Sequence, residues 1–154
     1  WMLDDAAHSV GDTGRKDSIK VWGFWNILGE EAFGRPSEEE IRPWYWAWSL
    51  MCRYFPKGCD INAVELTGSG EVRACAAESD GRHTVAVVNW SSEDLQISMQ
   101  VPYTFLNASV YVYEESGAYR DAEGSLVPSL TGICGDAVSV NVPAQSLTVI
   151  TDMQ

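Results

Sequence analysis

From residue 61 to residue 151 the chain alternates polar and apolar positions in short runs, at 61–66, 71–77, 83–90, 95–101, 109–114, 137–142 and 146–151. Period-two alternation rich in β-branched residues is the signature of half-buried strands. Turn-forming residues separate most of the runs: Thr67-Gly-Ser-Gly70, Ser79-Asp-Gly81, Ser91-Ser-Glu-Asp94, Glu115-Ser-Gly117 and Pro143-Ala-Gln145. About seven or eight short strands with no helical run between them predict a mainly-β fold, an antiparallel β-sandwich. The run His83-Thr-Val-Ala-Val-Val-Asn-Trp90 is the least polar and is predicted to be the most central strand.

The pattern upstream is different. Ile19-Lys-Val-Trp-Gly-Phe-Trp25 is apolar on both faces, as in a strand covered on two sides, and predicts a strand at about 19–26. Ser37 followed by Glu38, Glu39 and Glu40 is a helix-start signature, but Pro43 does not fit the inside of a continuous helix. A short turn at 37–41 followed by a new helix with Pro43 in its first position satisfies both, and Pro56 and Gly58 stop that helix, which spans about 43–55. Trp44, Trp48, Met51 and Phe55 form one stripe on it, and Trp46, Leu50 and Tyr54 another. Tyr45 and Cys52 occupy further faces, which leaves little except Ser49 and Arg53 for water. A helix apolar around most of its circumference requires burial on two sides. One sandwich covers one side, and the other needs a partner.

Composition sharpens the division. Six of the seven tryptophans (Trp1, Trp22, Trp25, Trp44, Trp46 and Trp48) fall in the first third of the chain. Beyond Arg82 the only basic residue is Arg120, so the β region is acidic on its polar faces. Residues 1–58 and 59–154 are therefore two regimes, joined near Pro56-Lys-Gly58. The net charge of −12 excludes nucleic acid and anionic membrane surfaces as partners, since both require a basic footprint. No apolar run approaches the length needed to span a bilayer. At 154 residues the chain is too short for a complete (β/α)₈ barrel of about 250 residues.

One arrangement of residues resembles a known family. The strand Val21-Trp-Gly-Phe-Trp-Asn26 is followed by Arg42-Pro-Trp-Tyr-Trp-Ala-Trp-Ser-Leu-Met-Cys-Arg-Tyr-Phe-Pro-Lys-Gly58. Then come the β run with His83-Thr-Val-Ala-Val-Val-Asn89 and a closing Pro143-Ala-Gln-Ser-Leu-Thr-Val-Ile-Thr151. This order is similar to the C-terminal end of a retaining glycoside hydrolase of the (β/α)₈-barrel superfamily: last barrel strand, last barrel helix, then a C-terminal β-sandwich. The resemblance implies that residues 1–58 are the remnant of a barrel end and 59–154 the sandwich domain. It implies too that the two catalytic carboxylates of such enzymes lie upstream of anything matched here, so no catalytic residue is assigned. Asp4 and Asp5 read as a solvated or turn-forming acidic pair, and Glu30 and Glu31 as loop acids. The last strand of such barrels often ends in an aromatic that stacks on a sugar. By position that residue is Trp25, with Trp22 second; their spacing puts the two on opposite faces of a strand. The partner implied is the rest of the parent barrel domain.

Other chemistry is sparse. Cys52, Cys59, Cys75 and Cys134 contain no C-x-x-C and have only His8 and His83 to join them, so neither metal nor cofactor is expected. Buried free thiols are the default for such a set, although Cys52 and Cys59 lie close enough across the Pro56 break to approach one another. Two histidines do not assemble a nucleophilic triad. Asn89-Trp-Ser91 and Asn107-Ala-Ser109 match the glycosylation pattern as chance occurrences. Tyr111 and Tyr113 share one strand face, and with Trp90 they form an alternative carbohydrate-binding platform, weighed against ordinary cross-strand pairing. A self-associating extracellular sandwich is the third reading. The chain begins at Trp1 without a signal segment, so the compartment stays open, with a secreted or periplasmic setting preferred.

Overall fold

The computed structural model describes residues 43–68, 70–114 and 117–153. The strand expected at 19–26, together with Trp22 and Trp25, lies outside the described residues. Among the described residues, one helix, α1 (Pro43–Tyr54), precedes seven strands: β1 (Asp60–Ala63), β2 (Val72–Ser79), β3 (Arg82–Asn89), β4 (Leu95–Glu114), β5 (Gly117–Ala118), β6 (Leu130–Val142) and β7 (Ser146–Thr151). The fold is mainly β, as the alternation predicts. Every pairing is antiparallel.

The strands form one hydrogen-bonded sheet in the order β1-β2-β3-β7-β4-β5, with β6 attached to β4. β4 is what folds this sheet into two layers. Its first part pairs with β6, Leu95 opposite Val142 through Gln100 opposite Ala137, and its last part pairs with β7, Ser109 opposite Thr151 through Tyr113 opposite Leu147. The pattern at 95–101 and 109–114 predicts two strands, but the structure makes them one of 20 residues. Pro102 has no N–H to give a ladder, yet it falls in the first of three register shifts against β6, where regular pairing lapses. β6 likewise begins at Leu130, earlier than 137, because Gly132 and Gly135 adopt left-handed φ of 82° and 111° and bend the strand without ending it. The β2–β3 hairpin is as its sequence dictates: Asp80 (φ 52°) and Gly81 (φ 70°) form the two-residue turn whose twist matches the strands.

Alternation then builds two cores on opposite faces of the larger layer. Val72 and Ala74 of β2, Val85 and Val87 of β3, Val110 and Val112 of β4 and Ile150 of β7 point inward. They meet Val138, Val140 and Val142 of β6, with Phe105 fully buried where β4 changes layer. On the opposite face Cys75, Ala86, Leu147 and Val149 receive Ala47, Leu50, Met51 and Tyr54 of α1. Those four helix positions are spaced three, four and seven apart, one stripe of a helix. β3, between β2 and β7, has a core on each face, which is why its run carries so few polar residues.

Candidate functional site

Two aromatic sites flank the larger layer. The first lies where α1 crosses it. Side chains alternate along β4, so Val110 and Val112 enter the inner core while Tyr111 and Tyr113 emerge on the helix side, both half-buried. Tyr111 is opposite Val149 of β7, which is opposite Ala86 of β3, which is opposite Cys75 of β2, so the four form one transverse row under the helix. The Tyr54 ring of α1 lies 5.1 Å from the Tyr111 ring at an interplanar angle of 36°. Burial and the contact with Tyr111 push the Tyr54 hydroxyl well above the ordinary tyrosine range. The helix is pinned at its other end by Arg120, the only lysine or arginine beyond Arg82, whose guanidinium sits 5.1 Å from the Trp46 ring.

The second site is the corner beyond β3. Trp90 is 48% exposed, and the Arg73 guanidinium lies 6.0 Å from its ring centre. Asn89 fixes this corner. Fully buried, its amide nitrogen donates to the carbonyls of Glu93, Val142 and Pro143, while its Oδ1 accepts from the Ser91 N–H and hydroxyl. Gln145, in a left-handed conformation at φ 51°, donates from Nε2 to the Trp90 and Ser91 carbonyls. Every polar atom of the Asn89 amide is thus engaged, so this residue is unavailable to a glycosylating enzyme in the folded chain. Asn107 is exposed.

The three aromatics of the alternative platform are therefore separated. Tyr111 and Tyr113 sit in successive rows against α1, whereas Trp90 stands past the end of β3 with its own partners. Trp90 alone among them offers a largely exposed ring.

A third cluster has no counterpart in the sequence pattern. His83 at the start of β3 stacks on Tyr103 of β4, ring centres 3.6 Å apart and 9° from parallel. Glu78 Oε2 lies 3.9 Å from His83 Nε2, and Asp152 Oδ1 accepts the His83 backbone N–H at 2.7 Å. Burial, with added repulsion from Asp152 and Glu78, pushes the Tyr103 hydroxyl up to about 12. The Tyr103 hydroxyl and His83 Nδ1 are buried without a hydrogen-bond partner among the described residues. Nothing in linear spacing joins residues 78, 83, 103 and 152; only the sheet's register does.

All four cysteines are free thiols. Cys75, under the helix, is pushed up to about 12 by burial and by the neighbouring Cys59. Among the described residues no group of three or more His, Cys, Asp or Glu is placed to hold a metal ion, and no helix is long and apolar enough to cross a membrane.

No family profile and no curated protein sequence matches the chain. Solved structures do match its fold. A family 30 glycoside hydrolase endoxylanase from Clostridium papyrosolvens superposes with a TM-score of 0.60 at 13% identity, over 74% of this chain and 28% of that one. A family 30 subfamily 8 xylanase from Clostridium acetobutylicum matches with a TM-score of 0.55 at 14% identity, over 73% and 28% respectively. A conserved exported protein from Bacteroides fragilis matches with a TM-score of 0.52 at 13% identity, over 69% and 21%. The chain has a glycoside hydrolase-related fold, and it spans between 21% and 28% of the length of these proteins.

Proposed function

We propose that this chain is the non-catalytic C-terminal part of a glycoside hydrolase, a β domain with an aromatic helix that docks on and stabilises a barrel, and that it is inactive alone. The observation that carries this reading is the division of labour around α1. One stripe, Ala47, Leu50, Met51 and Tyr54, is committed to the sheet, while Tyr45 at 39% exposure and the half-buried Trp48 stand on other faces of the same helix. Large aromatics on several faces of one helix suit a second packing surface beside the sheet, such as a barrel wall. The fold likeness to two xylanases supports the parentage and makes xylan the first polymer to test. In the intact parent, Trp25 is the sugar-stacking aromatic at the end of the last barrel strand, with Trp22 second.

The test is an activity screen of the purified chain on chromogenic xylosides, glucosides and dyed xylan. No turnover is expected, and turnover abolished by a substitution within this chain overturns the proposal. A second reading, carbohydrate binding by the β domain itself, rests on Trp90 with Arg73 beside it. It predicts saturable quenching of tryptophan fluorescence by xylo-oligosaccharides that is lost in Trp90→Ala; absence of quenching removes it.

A further inference from the structure

We propose that the outer face of the smaller layer, made by the first half of β4 and the end of β6, binds a polysaccharide that carries no charged groups. This face lies on the opposite layer from Trp90, and it belongs to the chain whether or not a barrel precedes it. Register builds it: Gln96 is opposite Asn141, Ser98 opposite Ser139 and Gln100 opposite Ala137. All six are exposed, while Leu95, Ile97, Met99, Val138, Val140 and Val142 between them turn to the inner core. β4 keeps its alternation beyond the regular ladder, so Pro102, Thr104 and Leu106 are exposed on the same side as Gln96. At about 3.4 Å per residue the strip along β4 is about 30 Å long. Nothing covers it among the described residues.

The chemistry of the strip selects its occupant. No residue from 95 to 106 or from 137 to 142 is charged, although 21% of the chain is. Exposed strand positions of the larger layer differ: Asp60, Glu78 and Arg82 occupy them. Nucleic acid and anionic lipid need a basic footprint, which the strip lacks. A protein interface is centred on apolar and aromatic side chains, and along most of this strip those point inward. Side-chain amides and hydroxyls both donate and accept, as sugar hydroxyls do, and no charge has to give up its water when a neutral polymer settles on them. Gln96 Nε2 donates to Ser139 Oγ at 2.9 Å, and the Ser98 and Ser139 hydroxyls lie 3.4 Å apart. The middle of the strip is therefore ordered before a ligand arrives, which lowers the cost of binding. At its far end Pro102 and Leu106, the latter 68% exposed, offer apolar surface to the C–H faces of sugar rings.

The test is affinity electrophoresis of the full 154-residue chain in native gels cast with neutral arabinoxylan, hydroxyethylcellulose or polygalacturonate, each compared with a polymer-free gel. Saturable retardation by at least one of the two neutral polymers is expected, with none by the polyanion. Ser98→Glu and Ser139→Glu each put a charge in the middle of the strip and are expected to weaken binding about tenfold or more. Both positions are exposed, and Gln100→Lys serves where either variant fails to fold. Trp90→Ala is expected to be retarded as strongly as the unsubstituted chain. Absence of retardation by both neutral polymers overturns the proposal, as does undiminished retardation of the folded strip variants. Loss of retardation in Trp90→Ala, which moves the site to that corner, overturns it too, and so does equal retardation by polygalacturonate. A sedimentation coefficient that rises with protein concentration in the unsubstituted chain but not in Ser98→Glu identifies a second copy as the occupant and also overturns it.

Discussion

Leu50→Ala tests the seating of α1 on the sheet. Leu50 is fully buried against β strands whose own residues, Cys75, Ala86 and Val149, are fully buried too. Truncation removes three carbons, about 2.4 kcal/mol at roughly 0.8 kcal/mol per buried methylene. The sheet backbone is held by ladders on both sides and has little freedom to collapse into the void, so a cavity contribution of about 0.5–1.5 kcal/mol adds to this. The expected loss is about 3–4 kcal/mol, a large share of the roughly 5–15 kcal/mol that stabilises an ordinary domain. With a urea slope of about 2 kcal/mol/M the midpoint falls by roughly 1.5–2 M. Tyr45→Ala, on another face of the helix and 39% exposed, is the paired control and is expected to cost less than about 1 kcal/mol. Urea unfolding followed by circular dichroism measures both. A Leu50→Ala loss no larger than that of Tyr45→Ala would mean that the helix contributes nothing to the cooperative unit, and the packing argument would fail.

Other expectations follow from the same contacts. Asn89→Ala removes five hydrogen bonds and leaves the buried Val142 carbonyl without the amide donor, so a loss of about 2–4 kcal/mol is expected, with Asn89→Asp at least as damaging because a carboxylate cannot donate; both are read in the same urea experiment. Cys52 and Cys134 are exposed, and are expected to react rapidly with a thiol reagent, whereas Cys75 reacts only on unfolding; fast labelling of Cys75 would contradict its burial under α1. Alkaline pH destabilises the chain. A group whose folded pKa is raised is bound to its proton in the fold when the unfolded chain has already lost it, so its contribution is complete below the unfolded value and disappears as pH rises through the folded one. For Cys75 that window runs from about 9 to about 12 and for Tyr103 from about 10 to about 12. Thermal melts across pH 8–12 should show the fall, and Tyr103→Phe should flatten its upper part; an unchanged slope in Tyr103→Phe would place the effect elsewhere.

The sequence was informative where the physics is local. The strand that closes the fold, Ser146–Thr151, matches its predicted run end for end, because alternation and a proline-led turn are both short-range signals. The Asp80-Gly81 turn and the Pro43 helix start are equally local. Reading failed at Pro102, Gly132 and Gly135, residues that usually interrupt a strand. Here they lie in the irregular part of β4 and β6, where a partner change or a bulge makes use of them. The aromatic platform shows the same limit. Alternation correctly puts Tyr111 and Tyr113 on one face, but only packing determines that α1 lies over that face and that Trp90 stands apart.

By itself, then, the amino-acid sequence determined the β class, the strand period, the acidic surface and the presence of a helix apolar on more sides than one sheet can cover, since each depends on residues a few positions apart. The tertiary structure alone decided that a single long strand carries the sheet from one layer to the other. It also decided that His83, Tyr103, Glu78 and Asp152 meet, and that the first part of β4 borders an open cavity among the described residues. Those features depend on register between strands up to some 70 residues apart, and register is settled by how the two faces bury together, which no local pattern encodes.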